Sequence, residues 1–299
     1  MKVIEFSYTD TISFDDKVAL CLGFFDAIHI GHQSLIEEAK KSGHKVAVMT
    51  FDNPPIYILH KIDQNLGLTS NADKVDIFES LGVDYLFILH IDEDLMNLSR
   101  YEFIEKVLKQ INPKLIVCGE DYTFGLSALG NPTYLSQFFK VKAMPLLTDN
   151  EEKISSREIA RLLKRHEIEK VNQYLNRYYR LCGLVKRGNR VGSSIGFPTA
   201  NLDLDFPYIV PEEGVYMGYA IYEGERYKAI ISVGRHPTIY QLDKAIIEVH
   251  IIDFDQDIYN ELLFVEFVKY MRENIKFPNL DELKDQLKKD LIKAKKTLQ

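Results

Sequence analysis

The feature that most constrains this fold is a change of hydrophobic pattern partway along the chain. From Lys17 to about Ala143, stretches that are apolar at nearly every position ("VALCLG", "KVAVMTF", "DYLFILHI", "KLIVCG") alternate with amphipathic stretches that begin near His32, Asn71 and Ser99. Runs of the first kind suit strands buried on both faces, and the intervening helices supply parallel crossovers. This half therefore reads as a doubly wound α/β layer fold. After "ISSREIARLLKRHEIEKVNQYLNR" the pattern becomes short strands with turn signals, and "VYMGYAIY" and "LFVEFV" alternate at period two. Gly224 and Glu225 sit between two such runs like a hairpin turn, which predicts an antiparallel barrel or sandwich. Leu280, Leu283, Leu287, Leu291, Ala294 and Leu298 then mark one face of a closing helix. The border falls near Asn176 to Leu181, which gives domains 1–178 and 179–299.

A chain of 299 residues suits two units of roughly 150 each. The formal charge of −7 argues against a protein that coats nucleic acid or an anionic membrane, because either needs a basic footprint. Small-molecule partners are expected instead, and a local basic site for a phosphate ligand is compatible with that charge. No run approaches the roughly 18 apolar residues of a membrane span, and "MKVIEFSYTD" has no signal-peptide h-region, so the cytoplasm is the default. Cys21, Cys118 and Cys182 are odd in number and lie far apart, which suits reduced cysteines acting as small hydrophobes. Self-association leaves no readable signal.

Two groups of residues point to chemistry. In "LGFFDAIHIGH", Gly23 lets the backbone leave a strand sharply, and Gly31 removes a side chain where a phosphate would approach. The helix start behind them favours anions, and His29 and His32 could hydrogen-bond phosphate oxygens as charge grows on them. A surface turn with two unrelated histidines is the alternative. In "GFPTAN", Thr199 and Asn201 are two apart, so an extended segment turns both toward a metal and phosphates; a Pro-Thr turn entering a strand is the plainer reading. Glu248 lies within the apolar run "IIEVHII", where a carboxylate has either a task or a basic partner. Ser155 and Ser156 are good helix caps in their own right.

"GFFDAIHIGH" resembles the HxGH signature of nucleotidylyltransferases, and more narrowly the G-x-F-D-G-x-H-x-G-H form of bacterial FAD synthetases. "LGLT", "LGVDYLFIL", "VCGEDYTFG", Gly130-Asn131 and "ISSREI" follow in family order. "GLVKRG", "GSSIGFPTANL", "PEEGVY", "SVGRHPT", "IIEVHIIDF" and "IYNELLFVEFVKYMRENIKF" resemble riboflavin kinase. The whole chain is thus similar to the bifunctional bacterial riboflavin kinase/FAD synthetase family. The resemblance implies a Rossmann-like α/β nucleotidylyltransferase domain with a parallel sheet, then an antiparallel β-barrel riboflavin kinase domain with a terminal helix. It implies phosphorylation of riboflavin to FMN by ATP with Mg2+, then adenylylation of FMN to FAD with release of pyrophosphate.

Carried over residue by residue, the family roles make His29 and His32 catalytic in adenylyl transfer. Gly23, Phe24, Asp26, Gly31, Ser155, Ser156 and Arg157 would hold ATP, and Asp121, Tyr122, Phe124 and Asn131 the flavin. In the kinase half Gly188, Thr199 and Asn201 would hold nucleotide, the last two also Mg2+. Glu248 would take the proton of the riboflavin 5′-hydroxyl, and Arg272 and Phe277 would lie near the flavin. The chain departs from the family pattern at Ala27 (Gly), Pro54 in "TFDNPP" (His-Pro), Arg157 (Thr), Ala160 (Arg) and Ser193 (a basic residue). Most of these fall in the adenylylating half. A riboflavin kinase with a weakened or structural first domain is therefore the second reading, and a non-catalytic flavin-binding regulator the third.

Overall fold

The computed structural model describes residues 1–54, 66–187, 196–235 and 245–298. They form two compact units, Met1–Glu158 and Ile159–Gln299.

In the first unit the apolar runs become β2 (Val18–Leu22), β3 (Lys45–Phe51), β4 (Tyr85–Leu89) and β5 (Leu115–Gly119). Every residue of β2 is buried, as a strand covered on both faces requires. Two edge strands, β1 (Lys2–Phe6) and β6 (Val141–Met144), escape the apolar-run criterion because most of their residues are exposed or half-buried. All pairings are parallel, in the order β1-β4-β3-β2-β5-β6. Helices α1 (Ile30–Lys40) and α2 (Asn71–Ser80) contribute Ile36 and Phe78 to the core on one face. Helix α3, 100–111, contributes Phe103 and Val107 to the other and carries a π-helical stretch, Ile104–Leu108. From β2 the chain steps to β3 on one side and returns to β5 on the other. The carboxyl ends of β2 and β5 are thus the switch point, where such sheets bind ligands. Beyond β6 come a two-strand ladder of β7 (Thr148–Asp149) and β8 (Glu152–Lys153), then α4 (Ser156–Leu163).

In the second unit six antiparallel strands close a barrel in the order β10-β13-β12-β11-β14-β9. They are β9 (Tyr179–Lys186), β10 (Ala200–Leu204), β11 (Gly214–Tyr222), β12 (Glu225–Arg235), β13 (Ala245–Ile251) and β14 (Leu262–Arg272). Ile231, Val233, Ile247 and Val249 point inward and are essentially fully buried. The hairpin turn lies one residue upstream of its expected place. Tyr222 pairs with Glu225, leaving Glu223 and Gly224 in the turn at φ 49° and 82°, the positive values a two-residue hairpin favours.

Helix α5 (Ile168–Leu175) docks on this barrel. Asn172 Nδ2 donates to the Phe267 carbonyl at 2.9 Å, and its Oδ1 accepts from the Tyr179 amide at 2.8 Å. The units therefore divide at Glu158, upstream of the border expected after 178. The closing helix α6 (Leu280–Thr297) buries Ala294 and is followed by the buried Leu298, while Leu280 is exposed. It also buries Asp290, which holds Arg272 of β14 in a two-pronged ion pair at 2.7 Å. All three cysteines are buried and free.

Candidate functional site

A cavity of about 390 Å3 opens at the switch point of the parallel sheet. It gathers Gly23, Phe24, Asp26, His29, Gly31 and His32 from the turn after β2, Asp121 and Tyr122 from the turn after β5, and Ser155 and Ser156 from the start of α4. Stretches more than a hundred residues apart in sequence thus meet at one place, which a surface turn with two unrelated histidines does not explain.

The turn after β2 is held under strain. Phe25, Ala27 and Ile28 have φ of 56°, 67° and 46°, the left-handed region that side chains with a Cβ rarely adopt. That region explains why glycine suits position 27. Asp26 anchors the turn: its Oδ1 accepts from the Leu68 amide (2.9 Å), the Ala27 amide (3.1 Å) and the Thr69 amide and hydroxyl (3.2 Å each). Its carbonyl accepts from Ser156 Oγ at 2.7 Å, tying the turn to α4. Burial pushes the Asp26 carboxyl upward, against those hydrogen bonds and the charge of Lys74.

His29 caps α1, its Nδ1 accepting from the His32 amide at 3.4 Å. A nitrogen that accepts carries no proton, so the ring proton sits on Nε2. The two imidazoles stack at 3.8 Å between centroids and 19° between planes. Gly31 has a different local reason from the one its sequence context suggested: a Cβ there would meet His29 Nδ1 at 3.0 Å, so the missing side chain makes room for the histidine ring.

The remaining first-half candidates are placed differently. Asp121 forms an ion pair with Lys153. Tyr122 is half-buried, its hydroxyl pushed upward by burial. Phe124 is not in the cavity wall: its ring packs on Phe103 at 5.3 Å and lies over Gly130, where a Cβ would meet it at 2.6 Å. Asn131 is also outside the wall and caps the helical turn Pro132–Leu135, accepting from the Tyr134 amide at 2.8 Å. Ser155 Oγ accepts from the Glu158 amide, as a cap does. Arg157 follows in the first turn, exposed and with no ion pair among the described residues.

In the barrel, the β10–β13 ladder places Asn201 directly opposite Glu248, and the β9–β10 ladder places Lys186 on the other side of Asn201. Direct partners present side chains on the same face about 5 Å apart. Since Ile247 and Val249 point inward, this polar row lies on the outer face. Glu248 is half-buried and makes no hydrogen bond or ion pair among the described residues, so the basic-partner alternative finds no support there.

Thr199 borders a second cavity, about 270 Å3, walled by Val185, Pro198, Phe254 and Tyr259. Arg187 lies 5.2 Å over the Tyr259 ring, and His250 Nδ1 donates to the Pro198 carbonyl at 2.8 Å. Arg187 is one of the basic residues that lie close in sequence to Ser193; His250 was not foreseen, and is readable only once the strand alternation sets it on the same outer face as Glu248. Arg272 is committed to Asp290, and Phe277 is half-buried in the loop between β14 and α6. Gly188 and Ser193 lie outside the described residues.

A parallel sheet with an anion-ready cavity at its switch point, joined to a closed barrel with its own polar site, defines a two-domain nucleotide-handling enzyme. Comparison with known proteins agrees. The family model for FAD synthetase matches residues 11–158 and that for riboflavin kinase matches 175–298. The chain is 34% identical to the bifunctional riboflavin kinase/FMN adenylyltransferase of Bacillus subtilis (strain 168), over 93% of this chain and 92% of that one. It is 32% identical to the protein of that description from Haemophilus influenzae, with 93% of each chain covered. A solved structure from Streptococcus pneumoniae, described as a macrolide-efflux protein, superposes at a TM-score of 0.91 with 32% identity and 98% of each chain covered. The chain belongs to the bifunctional riboflavin kinase/FMN adenylyltransferase family. No described helix is long and apolar enough to cross a membrane.

Proposed function

We propose that the two activities are divided between the two sites: riboflavin is phosphorylated at the barrel and FMN is adenylylated at the switch-point cavity. The observation that carries this reading is the convergence of His29, His32, Asp121, Ser155 and Ser156 on one cavity, separate from the Asn201–Glu248 row of the barrel.

In the kinase step Glu248 takes the proton of the riboflavin 5′-hydroxyl as the oxygen attacks the γ-phosphorus of ATP and ADP leaves. Its half-buried place and lack of a basic partner among the described residues suit a base. The cavity beside Thr199 would seat the nucleotide. The donors at hand are hard oxygens, the Thr199 hydroxyl and the Asn201 amide beside the Glu248 carboxylate, and such a set fits Mg2+. Thr199 and Asn201 would hold it, and when bound it neutralises phosphate charge.

In the adenylyl step an FMN phosphate oxygen attacks the α-phosphorus of ATP and pyrophosphate leaves. No covalent enzyme intermediate is needed, so the protein's task is positioning and charge stabilisation. His29, its proton on Nε2, donates toward the reacting phosphate, while Asp26 and Ser156 hold the turn that carries it. Arg157, in the first turn of α4, reaches toward the triphosphate in place of an arginine at 160. The enzyme works in the cytoplasm, where ATP is supplied and free thiols persist.

Incubation with riboflavin and Mg-ATP, followed by chromatographic separation of the flavins, tests the reading. FMN followed by FAD is expected. FMN alone would favour a kinase whose first domain is structural, and neither product would leave a flavin-binding protein.

A further inference from the structure

We infer that Lys74 is a positioning residue for adenylyl transfer, fixing Phe24 at the nucleotide cavity through both its ring and its backbone carbonyl. The inference rests on the adenylyl-transfer reading of that cavity. Lys74 lies on α2 and is 2% exposed. Its Nζ donates to Thr50 Oγ1 at 3.1 Å and to the Phe51 carbonyl at 3.4 Å, and lies 4.3 Å from the centroid of the Phe24 ring. The Thr50 hydroxyl donates in turn to the Phe24 carbonyl at 2.6 Å, which leaves its oxygen lone pairs for the ammonium. One cation therefore holds Phe24 at two points. Phe24 and Phe51 both line the cavity.

The cost of this arrangement argues for a purpose. Lys74 forms no ion pair among the described residues; Asp26 and Asp52, the latter paired with His90, act on it only through space. A buried ammonium without a carboxylate contact is expensive, and an apolar side chain of similar length would suit the fold better. Burial accordingly lowers the Lys74 pKa to about 8. What the lysine supplies and a methionine cannot is the hold on Phe24, since the contact with the aromatic face requires the ammonium charge and the bond to Thr50 requires an N–H donor.

The test is Lys74→Met in the full-length chain, with FMN and Mg-ATP supplied and FAD formation measured. The KM for ATP should rise about 10-fold with kcat within about 3-fold, while the melting temperature stays level or rises. Thr50→Val should raise the KM in the same way, and combining the two should add little, as expected of residues acting on one contact. In the unmodified protein the KM for ATP should climb as pH passes about 8, and this arm decides the matter should Lys74→Met not fold. An unchanged KM in Lys74→Met, a KM that rises only in step with a falling melting temperature, or a flat pH profile overturns the inference. Unmodified protein that makes no FAD overturns instead the adenylyl reading beneath it.

Discussion

Asn201 and Glu248 are direct partners across the β10–β13 ladder, which sets an amide and a carboxylate side by side on the outer face of the barrel. Glu248→Gln preserves that pair in shape and removes only the proton acceptor. FMN formation should fall by roughly 10² to 10⁴ while ATP binding persists. Steady-state kinetics with riboflavin, and ATP titration of the variant, check both halves; a near-normal rate would make Glu248 a bystander.

His29 caps α1 and, on the proposed reading, also donates to the reacting phosphate, two roles that substitution can separate. His29→Ala removes both the helix cap, at a cost of about 1 kcal/mol, and the ring donor. His29→Asn restores a side chain that caps well and still lacks the imidazole. FAD formation should drop about 100-fold or more in both variants, with FMN formation intact, and the Asn variant should melt closer to the unmodified protein. Recovery of FAD formation along with the cap would show that the ring does no chemistry.

Arg157 sits one turn before position 160, so its guanidinium can serve the contact that an arginine at 160 would make. Arg157→Thr should raise the KM for ATP in FAD formation several-fold, and adding Ala160→Arg should restore much of it. Independent effects of the two changes would separate Arg157 from that contact.

Two buried groups pull stability in opposite directions with pH. Lys74 titrates near 8 in the fold against an ordinary 10.5, so between those values the unfolded chain binds more protons and stability rises with pH, by up to about 3 kcal/mol. Asp26 is raised above the ordinary carboxylate value, so over its own acidic window the folded chain binds more protons and stability falls as pH rises. Urea denaturation from pH 8 to 10.5 should show the alkaline gain in the unmodified protein and not in Lys74→Met.

The place where the units divide can be tested by truncation. A fragment of residues 159–299 keeps α5 on the barrel through Asn172, whereas one starting at 176 exposes Phe267 and Tyr179 backbone groups that Asn172 satisfies. The longer fragment should melt several degrees higher, and equal melting would make α5 dispensable to the barrel.

What the sequence made legible follows the strength of its local signals. β2 to β5 announce themselves because both faces are covered, while β1 and β6, at the sheet edges, carry too few buried residues to stand out. His29 and His32 stood out by their spacing, and Ser155 and Ser156 as candidate helix caps, and the structure brings all four to one cavity. Phe124 and Asn131 carry equally recognisable neighbours, yet one packs over Gly130 and the other caps a helical turn, and only three dimensions separate packing from lining. Arg272 entered only through the family resemblance, as a residue near the flavin, and nothing local in the sequence announced its partner, an aspartate buried on α6. Lys74 had no signal at all, because a lysine on an amphipathic helix reads as solvated.

Under the proposed adenylyl reading, the left-handed residues of the turn after β2 bear on how ATP is received. Phe25, Ala27 and Ile28 are fully buried, and Asp26 gathers hydrogen bonds from two other segments of chain. Their conformational cost, about 1–3 kcal/mol for each strained residue, is offset when the domain folds and does not recur when the nucleotide arrives. If this loop meets the triphosphate as proposed, it has little freedom left to lose, and the entropy penalty of binding falls mainly on the ligand.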